Sequence, residues 1–179
     1  VSPLSKEFYA CATEELWVDE AEQAASCTKF PPRGKRSLTA ALPHFGYQRI
    51  AARDVIQQLD GCGSTVFILV ETSECLDNIE AIASVEGVDV LLLGANDLSL
   101  ELGILGEWGH ERFQDAIKSV AAAAHRAGKI FGIAGLYTRP DIMKWAVKEL
   151  GARYVLGHYD MGLLSMAMNT NMTQLRDIE

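Results

Sequence analysis

The segment VFILVETSE, Val66 to Glu74, runs through five apolar residues and then meets a carboxylate at Glu71. A second acid follows the next apolar run: in VDVLLLGANDLSLELG, Asp97 stands four residues beyond Leu93 and just past Gly94. If both runs are parallel strands, the two acids stand at the carboxyl ends of neighbours about 4.8 Å apart, the edge where α/β sheets bind ligands. Two such carboxylates, completed by waters and substrate oxygens, are an ordinary inventory for Mg²⁺ or Mn²⁺. Spacing leaves other roles open. Asp97 can cap a helix beginning near Leu98, and Glu71 can pair with Arg33 or Arg36.

Other residues offer less. Arg33 and Arg36 in KFPPRGKRS can hold a phosphate or carboxylate bidentately, or simply anchor their loop. His44, His110, His125 and His158 have no neighbour of known geometry and are expected to pack or face solvent. Trp108, Trp145 and Tyr137 are expected to pack or to border the site, with LYTRPD on its rim. GCGS, residues 61 to 64, lacks the lysine and helix of a phosphate loop and reads as a turn before a strand. Cys11, Cys27, Cys62 and Cys75 are spaced too irregularly for a zinc knuckle or redox pair and read as buried or half-buried thiols.

The elements that must position the acids are legible from residue 64 onward. Strand-like runs at 65–70, 89–93, 129–133 and 154–156 alternate with helix-like segments at 75–84, 111–127 and 139–150. Gly87, Gly128 and Gly151 follow helical stretches where a left-handed terminator is expected. Residues 5–27 read as a helix, KFPPRGKRS breaks it, and Tyr47 to Leu59 resumes it. Successive parallel strands fit an open doubly wound sheet or part of a (β/α)8 barrel. A whole barrel takes about 250 residues, so a chain of 179 residues would supply its later half.

Length and an apolar fraction of 49% fit a single domain over residues 1–179. The net charge of −8 argues against nucleic acid or an anionic membrane surface as partner. No apolar stretch is long enough to span a bilayer, and VSPLSKEFYA has no signal-peptide pattern, so a soluble cytoplasmic protein is expected.

ETSECLDNIEAIASVEGVDVLLLGANDLSLELGI resembles the core signature of the HpcH/HpaI aldolase and citrate lyase family: a strand ending in E-T, then G-V-D, an apolar strand and G-x-x-D-L-S. PPRGKRS is similar to that family's P-P-x-G-x-R element, and HRAGKIFGIAG with LGARYVLGHYDMGLL resembles its last two strands. The likeness runs from about residue 18 to the end, leaving 1–17 as a poorly matching segment. It implies an incomplete (β/α)8 TIM barrel, later βα units preceded by N-terminal helices. It also implies a class II aldolase that uses Mg²⁺ or Mn²⁺, with Co²⁺ as an option, to split or form 4-hydroxy-2-oxo acids with pyruvate as one product.

On that resemblance Glu71 and Asp97 are the metal ligands, and Gly94, Ala95 and Asn96 contact the substrate carboxylate. Arg36 remains an anion site or loop anchor. The family's histidine base and enolate-steadying arginine would precede residue 1, so no catalytic base is assigned, and Leu69 stands where many metal-dependent members carry glutamine. The family also implies a homo-oligomer, with DMGLLSMAMNTNM as a helix that packs on a neighbouring subunit or closes its own core. Two further functional readings stay open. One is a catalytically silent or regulatory remnant; the other is a CoA-thioester lyase like citrate lyase β subunits.

Overall fold

A computed structural model describes residues 8–12, 18–39 and 42–178. Its frame is one parallel sheet of five strands in chain order: β1 (Phe8–Ala12), β2 (Ser64–Val70), β3 (Val90–Gly94), β4 (Ile130–Ala134) and β5 (Tyr154–Val155). The central strands are β-branched or aliphatic runs without alternation, because both faces of a parallel sheet are covered. Val70 lies opposite Leu93, and Gly94 opposite Ala134.

The period of two sorts these strands into two layers. Val66, Ile68, Val70, Leu91, Leu93, Phe131 and Ile133 face the helices and join the main core. Against them pack α1 (Val18–Thr28) through Ala21 and Ala25, α4 (Ile79–Ser84) through Ile82, and α6 (Glu111–Arg126) through Phe113, Ile117 and Val120. The alternate residues, Phe67, Leu69, Leu92, Gly132 and Ala134, face the other way. Across that face Phe67 of β2 meets Tyr154 of β5 edge to face at 4.9 Å. Strands three places apart in a flat sheet stand roughly 14 Å from each other, so the ring contact requires a sheet curled toward this side. Gly132 makes it possible, since a Cβ there would sit 3.0 Å from Leu92 Cδ1 and 3.3 Å from Tyr154 Cβ.

At the amino ends of the strands, polar side chains tie the units together. Lys29 is buried and donates from Nζ to Ser64 O at 2.8 Å, while Asp89 Oδ2 accepts from Val66 N at 2.8 Å. Lys129 Nζ donates to Val88 O at 2.8 Å. At the carboxyl ends the chain turns sharply into helices. Thr72 caps α3 (Ser73–Asp77) by accepting from Cys75 N at 3.1 Å, and α5 (Ala95–Glu101) begins directly from β3. Gly87, Gly128 and Gly151 have φ of 92°, 68° and 69°, the left-handed terminators expected there.

Several expectations are corrected. The helix expected over 5–27 is helical only from Val18; Phe8–Ala12 is β1, parallel to β2. The helix expected over Tyr47 to Leu59 shortens to α2 (Ala52–Gln58), because Gly46 and Tyr47 both take φ near +60° and turn the chain beforehand (60° and 61°). Leu59–Gly63 then forms a wide turn into β2. The segment 75–84 is two short helices, α3 and α4, parted at Asn78, whose Nδ2 donates to Glu74 O at 3.0 Å. Cys27 is exposed rather than buried or half-buried; Cys75 is buried. The side chains of Cys11 and Cys62 lie outside the described set.

After α7 (Pro140–Lys148) and β5, the chain ends in α8 (Asp160–Arg176). Only Gly162 of α8 is buried. Among the described residues, the helix is left largely uncovered.

Candidate active site

Glu71 follows β2 on the side of the sheet that Phe67 and Leu69 face, so it stands at the mouth of the concave face rather than in the helix layer. This is why an acid can end a buried strand: its own position opens to a cavity. Carried one step past Val70 and Leu93, the strand register sets Glu71 opposite Gly94. The side-chain space of Gly94 is filled by that acid, since a Cβ at 94 would lie 2.9 Å from Glu71 Oε2 and 3.2 Å from Glu71 Cβ. Gly135 does the same for Asn96, whose Nδ2 would be 3.0 Å from an added Cβ.

Asp97 lies in the first turn of α5, which starts at Ala95 with Gly94 as its cap residue, so Asp97 is not the cap of that helix. Glu71 and Asp97 both line a cavity of about 260 Å³ at the carboxyl ends of β2, β3 and β4. Gly94, Ala95 and Asn96 complete its polar side, Ala95 through its backbone because the residue is fully buried. Leu69, Leu92, Ala134, Gly135, Tyr137 and Leu156 form the rest.

Burial holds the Glu71 carboxyl above the ordinary glutamate range, and the charge of Asp97 pushes it the same way. No salt bridge from a described residue reaches either acid. Two like charges thus share one mouth with no cation from a described residue between them, an arrangement that a bound cation would relieve. The pair offers hard oxygen donors, which fits Mg²⁺ or Mn²⁺ with further positions left to water and substrate. No group of three or more acid, histidine or cysteine side chains suited to a metal occurs among the described residues.

Arg36 lies elsewhere. Its guanidinium stacks 4.9 Å from the Phe30 ring centre and donates to Thr28 O at 3.5 Å, the geometry of a loop anchor. Arg33 pairs with Glu86 at 3.6 Å, beside the amino ends of the strands. Trp108 and Trp145 line a separate cavity of about 380 Å³ between α6 and α7. His110 caps α6, accepting from Arg112 N at 3.2 Å, and His158 stacks on Tyr137. Of the apolar lining residues, Leu92, Ala134 and Leu156 were not singled out in the sequence, and Leu69 was noted only as a departure from the family pattern. Their signal is parity: Leu69 stands two residues before Glu71, and Leu92 two before Gly94.

The model of the HpcH/HpaI aldolase/citrate lyase family matches residues 17–156. The chain belongs to this family. It is 40% identical over 147 residues to the 4-hydroxy-4-methyl-2-oxoglutarate aldolase of Hapsidospora irregularis, covering 82% of the chain and 54% of that relative. Identity to the 5-keto-4-deoxy-D-glucarate aldolase of Klebsiella pneumoniae is 32% over 149 residues, 83% of the chain and 56% of the relative. The chain spans about half the length of these curated relatives.

Among solved structures, an HpcH/HpaI aldolase from Desulfitobacterium hafniense superposes with a TM-score of 0.82 at 23% identity, over 95% of this chain and 63% of that one. A family protein from Burkholderia cenocepacia gives 0.74 at 26% identity, over 96% and 65%. The likeness fits the curled parallel sheet: the fold is that of βα units of a (β/α)8 barrel. The family model match closes at 156, before α8, while the superposed structures cover 95% and 96% of the chain.

Proposed function

We propose that this chain carries the metal-holding side of a divalent-metal-dependent carbon–carbon lyase that splits a 4-hydroxy-2-oxo acid into pyruvate and an aldehyde. The observation that carries this reading is the convergence of Glu71 and Asp97, with no ion pair from a described residue, on one cavity at the carboxyl edge of a family sheet. Curated relatives named as aldolases of 2-oxo diacids support the reaction class. Glu71 and Asp97 would hold the cation, Mg²⁺ or Mn²⁺ by the hardness of the donors. When bound there, such a cation supplies Lewis-acid polarisation of the keto oxygen.

The protein's own part is positional. Gly94 leaves the space in which Glu71 stands, Asn96 offers an amide to the acid's carboxylate, and the small residues Gly94 and Ala95 let a flat 2-oxo acid approach the backbone. In the cleavage, the 4-hydroxyl loses its proton to a base, the C3–C4 bond breaks, and its electron pair remains on C3 of the enolate, which is then protonated to pyruvate. No histidine or lysine lines the cavity among the described residues, so the base is left unassigned.

The finer expectations are proposed with it. α8 presents large exposed apolar side chains, which supports a homo-oligomer. No described helix is long and apolar enough to cross a membrane, and a cytoplasmic location is proposed with this reading.

The test is pyruvate release from 4-hydroxy-2-oxo acids with and without Mn²⁺, beside Glu71→Gln and Asp97→Asn. Metal-dependent pyruvate that disappears in both variants is expected. A folded chain that binds Mn²⁺ through these acids yet releases none would replace the lyase reading with that of a silent metal-binding relative.

A further inference from the structure

The cavity has two chemically different sides. Glu71, Asp97 and Asn96 stand on the β2 and β3 side, while Tyr137, Ala134 and Leu156 stand on the β4 and β5 side. If the first side holds the 2-oxo acid head, the rest of the substrate, from C4 outward, extends along the second. Tyr137 is the large residue there, and several features fix where its ring stands.

The ring of Tyr137 stacks on that of His158, with centres 4.8 Å apart and planes 15° from parallel. Tyr159 closes the cluster, 5.6 Å from Tyr137 and 5.1 Å from His158. His158 is itself oriented, because its Nδ1 accepts the Tyr159 backbone N–H at 2.9 Å, which in the neutral ring places the proton on Nε2. The space for this imidazole exists because residue 162 is glycine. A Cβ there would overlap His158 Cε1 and lie 2.6 Å from its Nδ1. Glycine is a poor choice inside a helix, and its φ is not in the left-handed region, so the space is the reason for it. The loop after β4 and the loop before α8 are thus locked together by a ring stack whose free end forms a wall of the cavity.

We infer that Tyr137 is the specificity-determining wall for the aldehyde-derived half of the substrate, with His158 and Gly162 as positioning residues that hold it. The inference rests on the lyase reading above and adds the residues that read the substrate beyond C4. Pyruvate needs only the head side; a longer 4-hydroxy-2-oxo acid needs the wall as well. The discriminating quantity is therefore the ratio of two affinities, which general destabilisation does not move.

The experiment uses the whole chain loaded with Mn²⁺, with pyruvate as the head-only probe and 4-hydroxy-2-oxohexanoate as the head-plus-chain probe. Affinities are read from paramagnetic broadening of ligand proton resonances, which needs no turnover. Tyr137→Ala should leave pyruvate affinity within two-fold while weakening the hexanoate about ten-fold. Tyr137→Phe, which keeps the stacking ring, should retain both. Gly162→Ala, outside the cavity, should weaken the hexanoate selectively by displacing His158, with pyruvate affinity kept within two-fold.

Equal changes in both affinities, or no change in either, would overturn the assignment while leaving the lyase reading intact. If the parent chain shows no Mn²⁺-dependent broadening of pyruvate, the lyase reading itself fails and the wall falls with it.

Discussion

At Gly94 the backbone has φ of −88° and ψ of 92°, a conformation open to any residue. Its glycine is explained by the neighbour, since the missing Cβ is where the Glu71 carboxylate stands. Gly94→Ala should therefore fold, at an overpacking cost of about 1–3 kcal/mol. It should also displace Glu71 and reduce Mn²⁺ affinity about ten-fold, or about 1.4 kcal/mol, measured by calorimetric titration. Unchanged affinity would show that Glu71 has another place to go. The acids were legible in the sequence because each ends an apolar run. The service of Gly94 to Glu71 was not, because it depends on register between two strands. For Arg36 the sequence left anion binding and anchoring both open, and the contacts with the Phe30 ring and Thr28 O favour the anchor.

Elements carry the same lesson. Strands β2 to β5 were found within a residue or two because buried parallel strands are uninterrupted apolar runs followed by sharp turns. β1 was missed because FYACA continues into an apolar spacing that fits a helix, and its strand state comes from the edge of β2, a partner some fifty residues away. Tertiary pairing overrides local pattern there. Helix α7 offers a test of local electrostatics. In its first turn Asp141 receives two hydrogen bonds from Arg139, at 2.9 and 2.7 Å, which with the helix-start amides hold its carboxyl down to about 2. A depressed acid stabilises the fold above its ordinary value, and the contribution is lost as pH falls from there through about 2. Carboxyl-detected NMR titration should find the Asp141 midpoint near 2, rising toward the usual aspartate value in Arg139→Gln and in high salt. A parent midpoint near the ordinary value would show that this exposed pair does not persist in solution.

For the whole molecule, the decisive surface is α8. Met161, Leu164, Met168, Met172 and Leu175 recur three or four residues apart, and so share one side of the helix. Met161 is 65% and Met168 67% exposed, so the described residues leave this stripe largely uncovered. A helix of 17 residues whose apolar side is bare has the form of one that docks into another subunit. On the homo-oligomer proposed above, the expected partner is a second copy of the chain. Light scattering on purified chain should then give a mass above the single-chain 19.6 kDa. Leu164→Glu with Met168→Glu should return it to that value while leaving the melt of the sheet domain nearly unchanged, because neither residue touches the core. The ring stack on His158 ties this helix to the cavity wall through Gly162, so the same double variant also asks whether assembly shapes the site. If Mn²⁺ affinity persists in the monomer while hexanoate selectivity falls, docking of α8 holds the wall in place. If both persist, the wall is built by the chain alone.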